Sequence, residues 1–287
     1  MTDTPHESPL PAAQARTFDV VVLRQDGPGR PGYRERHRVA HEPDMNVISV
    51  LEKIAATART ADGRDVAPVA WECNCLEEVC GACTMLVNGR VRQACTALVD
   101  RLLAERPGAI ELSPMTRFPV LRDLVVDRSR MFDTLERIEA WLPVDSYLDL
   151  GPGPRQPQDL QQMAYELSKC MTCGCCLEAC PQYLKIELAR KPDESVPQFR
   201  ARQREAFRRE FLGAFAIAQI ELFNANPVGA MNSRHRRDVL VEEGGIQVCG
   251  NAQNCVRVCP KEIPLTTSIA RQGRTATLHV LKTWFDR

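Results

Sequence analysis

The residues able to do chemistry in this chain are cysteines, and their spacing says which chemistry. Cys170, Cys173, Cys176 and Cys180, in the run CMTCGCCLEACP, follow the Cys-x2-Cys-x2-Cys-x3-Cys-Pro spacing of bacterial-type iron–sulfur runs, whose fourth cysteine serves a different cluster from the first three. Three thiolates leave one iron of a cubane without a ligand, so a second cysteine group must come from elsewhere in the chain. That group is Cys249 to Pro260, CGNAQNCVRVCP, whose positions on the same template are Cys249, Ala252, Cys255 and Cys259. Crossing the two runs gives four ligands, Cys170, Cys173, Cys176 and Cys259, which suit a [4Fe-4S] cluster. It also gives a set of three, Cys180, Cys249 and Cys255, in which Ala252 stands where a fourth would be. An iron with no protein ligand is the one most easily lost, so a [3Fe-4S] cluster is expected there. Cys175 is an alternative to its neighbour Cys176, but only Cys176 keeps both intervals.

A third group lies nearer the N-terminus, in WECNCLEEVCGACTMLVNGRVRQACTA. Cys75, Cys80 and Cys83 give Cys-x4-Cys-x2-Cys, and the distant Cys95 completes the plant-type [2Fe-2S] pattern. Cys73 could replace Cys75 in that register. Between the third and fourth cysteines, Asn88-Gly89 is a type I′ hairpin signal flanked by Met85, Leu86, Val87 and Val91, and a hairpin there would return Cys95 to the loop. Gly81, between two of the cysteines, is expected to let backbone amides approach the sulfurs. The competing reading of these thiols is structural zinc, whose sites usually pair one Cys-x2-Cys with another.

The elements that must position these groups can be read around them. Thr17 to Asp26 and Tyr33 to Ala40 read as strands separated by a Gly-Pro-Gly-Arg-Pro-Gly turn region. Asn46 can cap a helix carrying Val47, Val50, Leu51, Ile54 and Ala58, with Gly63 beyond its end, and Ile110 to Leu112 reads as a closing strand. From Val120 to Leu142 the apolar residues follow a helical spacing that ends before Pro143; Gly151 to Gln158 reads as a linker, and Asp159 to Lys169 as a helix leading into Cys170. One long helix is expected from Gln198 to Asn224. Its arginines, and the group Arg234, His235, Arg236 and Arg237, read as a solvated face.

The fold class expected is α+β. A flexible tail, residues 1–16, precedes a β-grasp plant-type ferredoxin domain over 17–115 and an all-α bacterial-ferredoxin-like domain with two clusters over 116–287.

Composition bounds the rest. The 37 basic and 37 acidic residues balance, which gives no reason to expect nucleic acid as a partner. Thirteen cysteines in 287 residues fall in three tight groups, as metal ligands in a reducing compartment do and disulfides of a stapled secreted scaffold do not. The first residues lack a cationic start followed by an apolar core, so no secretory signal is expected there. No segment reaches the roughly 18 to 20 apolar residues of a membrane span, the best being FLGAFAIAQIELF at 211–223, so any membrane attachment goes through a partner. No catalytic dyad or nucleotide loop is evident, and the chain reads as one that moves electrons between partners.

From about residue 17 onward the sequence resembles the iron–sulfur subunit of succinate dehydrogenase and fumarate reductase, respiratory complex II. The likeness rests on NCLEEVCGACTMLVNG with Cys95, on CMTCGCCLEACP, and on ELFNANPVGAMN and CGNAQNCVRVCPKEIPLTTSIA. The resemblance implies an electron-transfer subunit of a succinate:quinone oxidoreductase. Its [2Fe-2S] cluster would face a flavoprotein subunit carrying FAD, where succinate is oxidised. The [4Fe-4S] cluster would lie in the middle, and the [3Fe-4S] cluster would face a membrane anchor subunit of the cytochrome b type, with haem b, and its quinone. The last two segments look like the branch that uses menaquinone. The implied location is the cytoplasmic face of the cell membrane, peripheral through the anchor.

By the same resemblance the quinone pocket includes Pro181, Tyr183 and Gly250. Some relatives have a histidine or tryptophan near the quinone where this chain has Gly250 and the Gln182-Tyr183 pair, which leaves the donor to the quinone oxygen open, the anchor being another source. The alternatives are a fumarate reductase subunit, the iron–sulfur subunit of another flavin-linked oxidoreductase of glycolate-oxidase or heterodisulfide-reductase type, and a zinc-stabilised interaction module.

Overall fold

Strand β1 (Thr17–Arg24) alternates inward and outward, burying Phe18, Val20, Val22 and Arg24, and pairs antiparallel with β2 (Tyr33–Ala40) along its whole length. These contacts belong to a computed structural model that describes residues 16–143 and 155–286. The tail of residues 1–15 and the linker stretch 151–154 lie outside the described residues. Helix α1 (Val47–Thr57) begins as the sequence indicates, with the Asn46 side chain accepting from Ser49 N–H at 2.9 Å. It ends at Ala58, which itself adopts the left-handed conformation and returns its N–H to Ile54 O.

Strands β3 (Thr84–Val87) and β4 (Arg90–Gln93) form the expected hairpin, with Asn88 and Gly89 both at positive φ as a type I′ turn requires. Helix α2 (Val99–Glu105) leads to β5 (Ile110–Ser113). The five strands form one sheet in the order β2-β1-β5-β3-β4, with β1 and β5 parallel, and α1 buries Val47, Ile48, Val50, Leu51 and Ile54 in its core.

Beyond β5 the structure departs from the helical spacing read at 120–142. Val120–Arg122 (β6) and Val125–Val126 (β7) form a small antiparallel hairpin, and a helix, α3, occupies only Ser129–Arg137. The reason is Asp123 at its tip. It has φ 47° and is fully buried, and its carboxylate accepts from Arg24 Nε and Nη2, both at 3.0 Å, from Ala70 N–H at 2.8 Å and from Gln25 N–H at 3.2 Å. Arg24 also binds Glu35 at 2.8 Å, and His37 meets the same carboxylate at 3.0 Å. A buried charge cluster satisfied this fully outweighs a helical periodicity. Leu124 accordingly turns into the first core, while Leu121 and Phe132, assigned to an apolar helix face, are exposed.

Helix α4 (Gln158–Ser168) leads to the first bacterial-type run, whose Cys175–Glu178 forms a single turn, α5. The expected helix over 198–224 is two helices. One, α6 (Val196–Arg209), starts at a capping box of Ser195 and Gln198; the other, α7, spans Ala214–Ala225. Gly213 makes the break. Its φ is 92°, and a Cβ there would lie 2.3 Å from Leu177 Cδ2, so the chain turns and drives Phe211 and Leu212 into the second core. Because α7 is buried on nearly every side from Ala214 to Glu221, it is the central helix of that core rather than an amphipathic surface helix.

Helix α8 (Ser233–Val241) corrects the solvated-face reading at one position. Arg236 is fully buried and donates to the carbonyls of Ile138, Glu139, Trp141 and Gly229 and to Asn224 Oδ1, tying the segments that follow α3 and α7 together at carbonyls that would otherwise be unpaired. The turn α9 (Asn254–Arg257) carries Cys255, and the 21-residue α10 (Leu265–Phe285) closes the chain against α7 and α8.

Candidate metal centres and the contact between them

The cysteine loop between α1 and β3 is built of turns, with Leu76, Glu78 and Gly81 at positive φ. That path turns backbone N–H groups onto sulfur: Val79 and Cys80 donate to Cys75 Sγ at 3.3 Å, Glu77 at 3.5 Å, and Ala82 to Cys80 Sγ at 3.4 Å. The amides of Glu77 and Val79 bring the Cys75 thiol down to about 7. Burial does the reverse at Cys95, pushed up to about 11, with Cys83 and Cys75 adding to the rise. Cys73 is exposed and also lies near Cys75, Cys80 and Cys95, so proximity alone does not remove it as an alternative ligand.

The two distant runs come together in the fold. Burial pushes Cys176 up, and the thiols it senses are Cys173, Cys170, Cys259 and Cys255. Cys170 is raised by burial and by Cys173 and Cys259. Cys255 is raised by burial, then by Cys180 and Cys249. Asn254 Nδ2 donates to Ala179 O at 3.0 Å, which fastens the second run to the first. A cavity here is lined by Cys180, Cys249 and Cys255 together with Ala252.

Pro181 and Gly250 border the same cavity, as does Gln182. Tyr183, grouped with Pro181 and Gly250 by resemblance, does not. Its ring is 1% exposed, packed on Phe118 and under the Arg130 guanidinium at 4.0 Å, on the core side of the run.

The first loop touches the second site directly. A Cβ on Gly81 would lie 2.7 Å from Cys173 Cα, so Gly81 brings two backbones together as well as turning amides onto sulfur. Arg128 straps this contact, donating to Gly81 O and Ala82 O at 2.7 Å each. Glu178 fixes the other side of the junction by accepting from Thr116 Oγ1 at 2.6 Å and from Thr116 and Arg117 N–H at 2.9 Å.

The side chains gathered here are free cysteines, with backbone amides aimed at the sulfurs of Cys75 and Cys80, a donor chemistry that fits iron–sulfur clusters.

Comparison with known proteins agrees with this geometry. Residues 19–133 match the family model "2Fe-2S iron-sulfur cluster binding domain", and residues 166–263 match "4Fe-4S dicluster domain". The succinate dehydrogenase iron–sulfur subunit of Bacillus subtilis is 46% identical over 273 residues, covering 95% of this chain and 98% of that one. The chain belongs to the succinate dehydrogenase and fumarate reductase iron–sulfur subunits. The fumarate reductase iron–sulfur subunit of Mycobacterium tuberculosis is 32% identical over 221 residues, covering 75% of this chain and 76% of its own. A chain of the Mycobacterium smegmatis Sdh1 complex has the same fold, with a TM-score of 0.68 at 23% identity over 91% of this chain and 96% of that one.

The protein is thus the electron-transfer subunit of a succinate- or fumarate-linked oxidoreductase complex and does not itself act on the substrate. It pairs a β-rich ferredoxin-like half with a helical dicluster half. No helix among the described residues is long and apolar enough to cross a membrane.

Several residues of the subunit's sites carry no cysteine signature and escape a motif search. Gln219, buried on α7, lies beside Cys170 and helps lower its thiol. Gln93, Arg128 and Glu178 join the halves, and each lies many residues from the group it contacts. Only the position of Gln93 two residues before Cys95 could have drawn attention to it.

Proposed function

We propose that this subunit is the wire of a membrane-bound succinate:quinone oxidoreductase. Cys75, Cys80, Cys83 and Cys95 would hold [2Fe-2S]; Cys170, Cys173, Cys176 and Cys259 would hold [4Fe-4S]; Cys180, Cys249 and Cys255 would hold [3Fe-4S]. When bound, these clusters supply one-electron transfer between a flavin and a quinone. The observation that carries the reading is the cavity lined by three cysteines and Ala252, where a fourth cysteine ligand would otherwise be expected.

The chain's own residues supply insulation and orientation. Burial of Cys173, Cys176 and Cys255 keeps water from the sulfurs, and the amides at Cys75 favour its thiolate. Docking follows the exposed apolar residues. Leu76 and Val79 stand out on the first loop and suit the FAD-carrying flavoprotein. At the far end Leu278, Val280, Leu281, Trp284 and Phe285 leave the C-terminal half of α10 uncovered, which suits a cytochrome b type anchor with haem b at the cytoplasmic face of the cell membrane. Pro181 and Gly250, which line the cavity of Cys180, Cys249 and Cys255, would border the quinone, menaquinone in the branch this sequence resembles.

The test is electron paramagnetic resonance of the air-oxidised complex, with iron and acid-labile sulfide analysis. A [3Fe-4S] signal is expected in the wild type, because oxidised [2Fe-2S] and [4Fe-4S] clusters are silent. Ala252→Cys should replace it with a cubane and slow quinone reduction. An unchanged signal and unchanged quinone reduction in Ala252→Cys would defeat the ligand register, and zinc without sulfide would defeat the whole reading.

A further inference from the structure

Gln93 is 1% exposed at the end of β4, and every polar atom of its side chain is engaged at the junction between the first two cysteine groups. The hydrogen bonds around it fix which way the amide points. Thr84 Oγ1 donates its only proton to Gly81 O at 2.8 Å, so toward Gln93 it can only accept. The group it meets at 2.8 Å is therefore Gln93 Nε2. The second proton on Nε2 goes to Cys175 Sγ at 3.4 Å. Nitrogen thus faces the second group and Oε1 faces Cys83 Sγ, 3.6 Å away.

Cys175 continues the line. It is 1% exposed and sits on α5 beside Cys176 and two residues after Cys173, so the path Cys83–Gln93–Cys175 runs from one ligand group into the turn that carries the other through a single amide and a single free thiol. A cysteine that no cluster needs is thereby given a position no other side chain of the run occupies.

We propose that Gln93 and Cys175 form an oriented polar bridge that biases electrons from the first cluster toward the second. The proposal rests on the ligand sets given above, and it adds two residues that ligate nothing. Once Cys83 is bound as thiolate it has no proton to offer, so the carbonyl end of Gln93 faces negative sulfur and disfavours an added electron there. At the other end Cys175, between Cys173 and Cys176 on the second run, accepts from Gln93 and so has its S–H proton free for that ligand group, where it favours an added electron, since hydrogen bonds to ligating sulfur raise a cluster's potential. Nε2 of Gln93, by donating to Cys175 Sγ, polarises the S–H and strengthens that donation. One electron crosses per transfer. No bond forms or breaks, and Cys175 keeps its proton throughout, so Gln93 and Cys175 are positioning residues.

The experiment is a potentiometric titration of the intact complex followed by electron paramagnetic resonance, with iron and sulfide content measured on each variant. Gln93→Leu should raise the first-cluster potential and lower the second. The constant that distributes an electron between them should fall about tenfold, which is about 59 mV for a one-electron couple. Cys175→Ala should lower the second-cluster potential and leave the first where it was. Thr84→Val frees the amide to turn its nitrogen toward Cys83, and the first-cluster potential should rise.

A purely structural role for the bridge would leave the gap between the two potentials unchanged in loaded protein. That outcome in Gln93→Leu, or a Cys175→Ala variant whose second-cluster potential matches the wild type, overturns the proposal. Where Gln93→Leu fails to assemble, the Cys175→Ala titration decides alone. Absence of both cluster signals from the wild type would instead sink the assignment of the ligand sets.

Discussion

Replacing Gly81 by alanine tests the contact on which passage between the two halves depends. Two costs can be separated. Gly81 has φ 72°, a conformation that costs a residue with a Cβ about 1–2 kcal/mol. The new methyl carbon would also lie 2.7 Å from Cys173 Cα and 2.8 Å from Cys173 Cβ. Carbon atoms rest at about 3.5–4.0 Å, so the two backbones must part by roughly 1 Å, an overpacking that costs about 1–3 kcal/mol. The sum is about 2–5 kcal/mol.

Gly89 supplies the control, because it has φ 76° with nothing within 4 Å of a built Cβ, so Gly89→Ala carries the backbone cost alone. The assay is calorimetry of the cluster-loaded subunit under anaerobic conditions at one scan rate. At about 2–4 °C per kcal/mol for a chain of this size, Gly81→Ala should melt about 2–12 °C below Gly89→Ala. It should also weaken the strap from Arg128, whose guanidinium holds the carbonyls of Gly81 and Ala82. Indistinguishable melting of the two variants would mean that the first loop does not rest on Cys173, and the account of the junction would be wrong.

Two further outcomes are expected. Asp123→Ala leaves Arg24 short of one of its two carboxylates and strands the N–H groups of Ala70 and Gln25, which should cost about 3–5 kcal/mol in denaturant titrations that follow the absorbance of the [2Fe-2S] cluster. A loss below about 1 kcal/mol would show the charge cluster to be dispensable. Trp284→Ser combined with Phe285→Ser removes side chains that are 67% and 75% exposed, so stability should stay within about 0.5 kcal/mol of the wild type while less of the subunit sediments with membranes. Undiminished sedimentation would move the docking surface away from the end of α10.

What the sequence determined by itself was the chemistry and the parts list. Cysteine spacing is a local property: the loop around Cys75 and the runs at Cys170 and Cys249 fix the ligand type within a dozen residues each, which is why the two cluster-binding domains were legible. Strands β1, β2 and β5, the Asn88-Gly89 turn and the Asn46 cap were legible for the same reason, since each depends on neighbours in the chain.

Tertiary structure decided everything that rests on contacts between distant residues. Asp123 abandoned a helical pattern because Arg24, 99 residues away, offered it a buried charge. Gly213 split a helix because Leu177 occupied the space beside it. Arg236 left the surface to hold carbonyls from 138 to 141 and at 229.

The bridge through Gln93 belongs to that second kind. Neither an isolated glutamine nor a spare cysteine carries a signal in the sequence, and only the approach of β4 to α5 places one against the other. Spacing can name the three cysteine groups, whereas the path between them is a matter of packing, because the atoms that line it come from segments 82 residues apart.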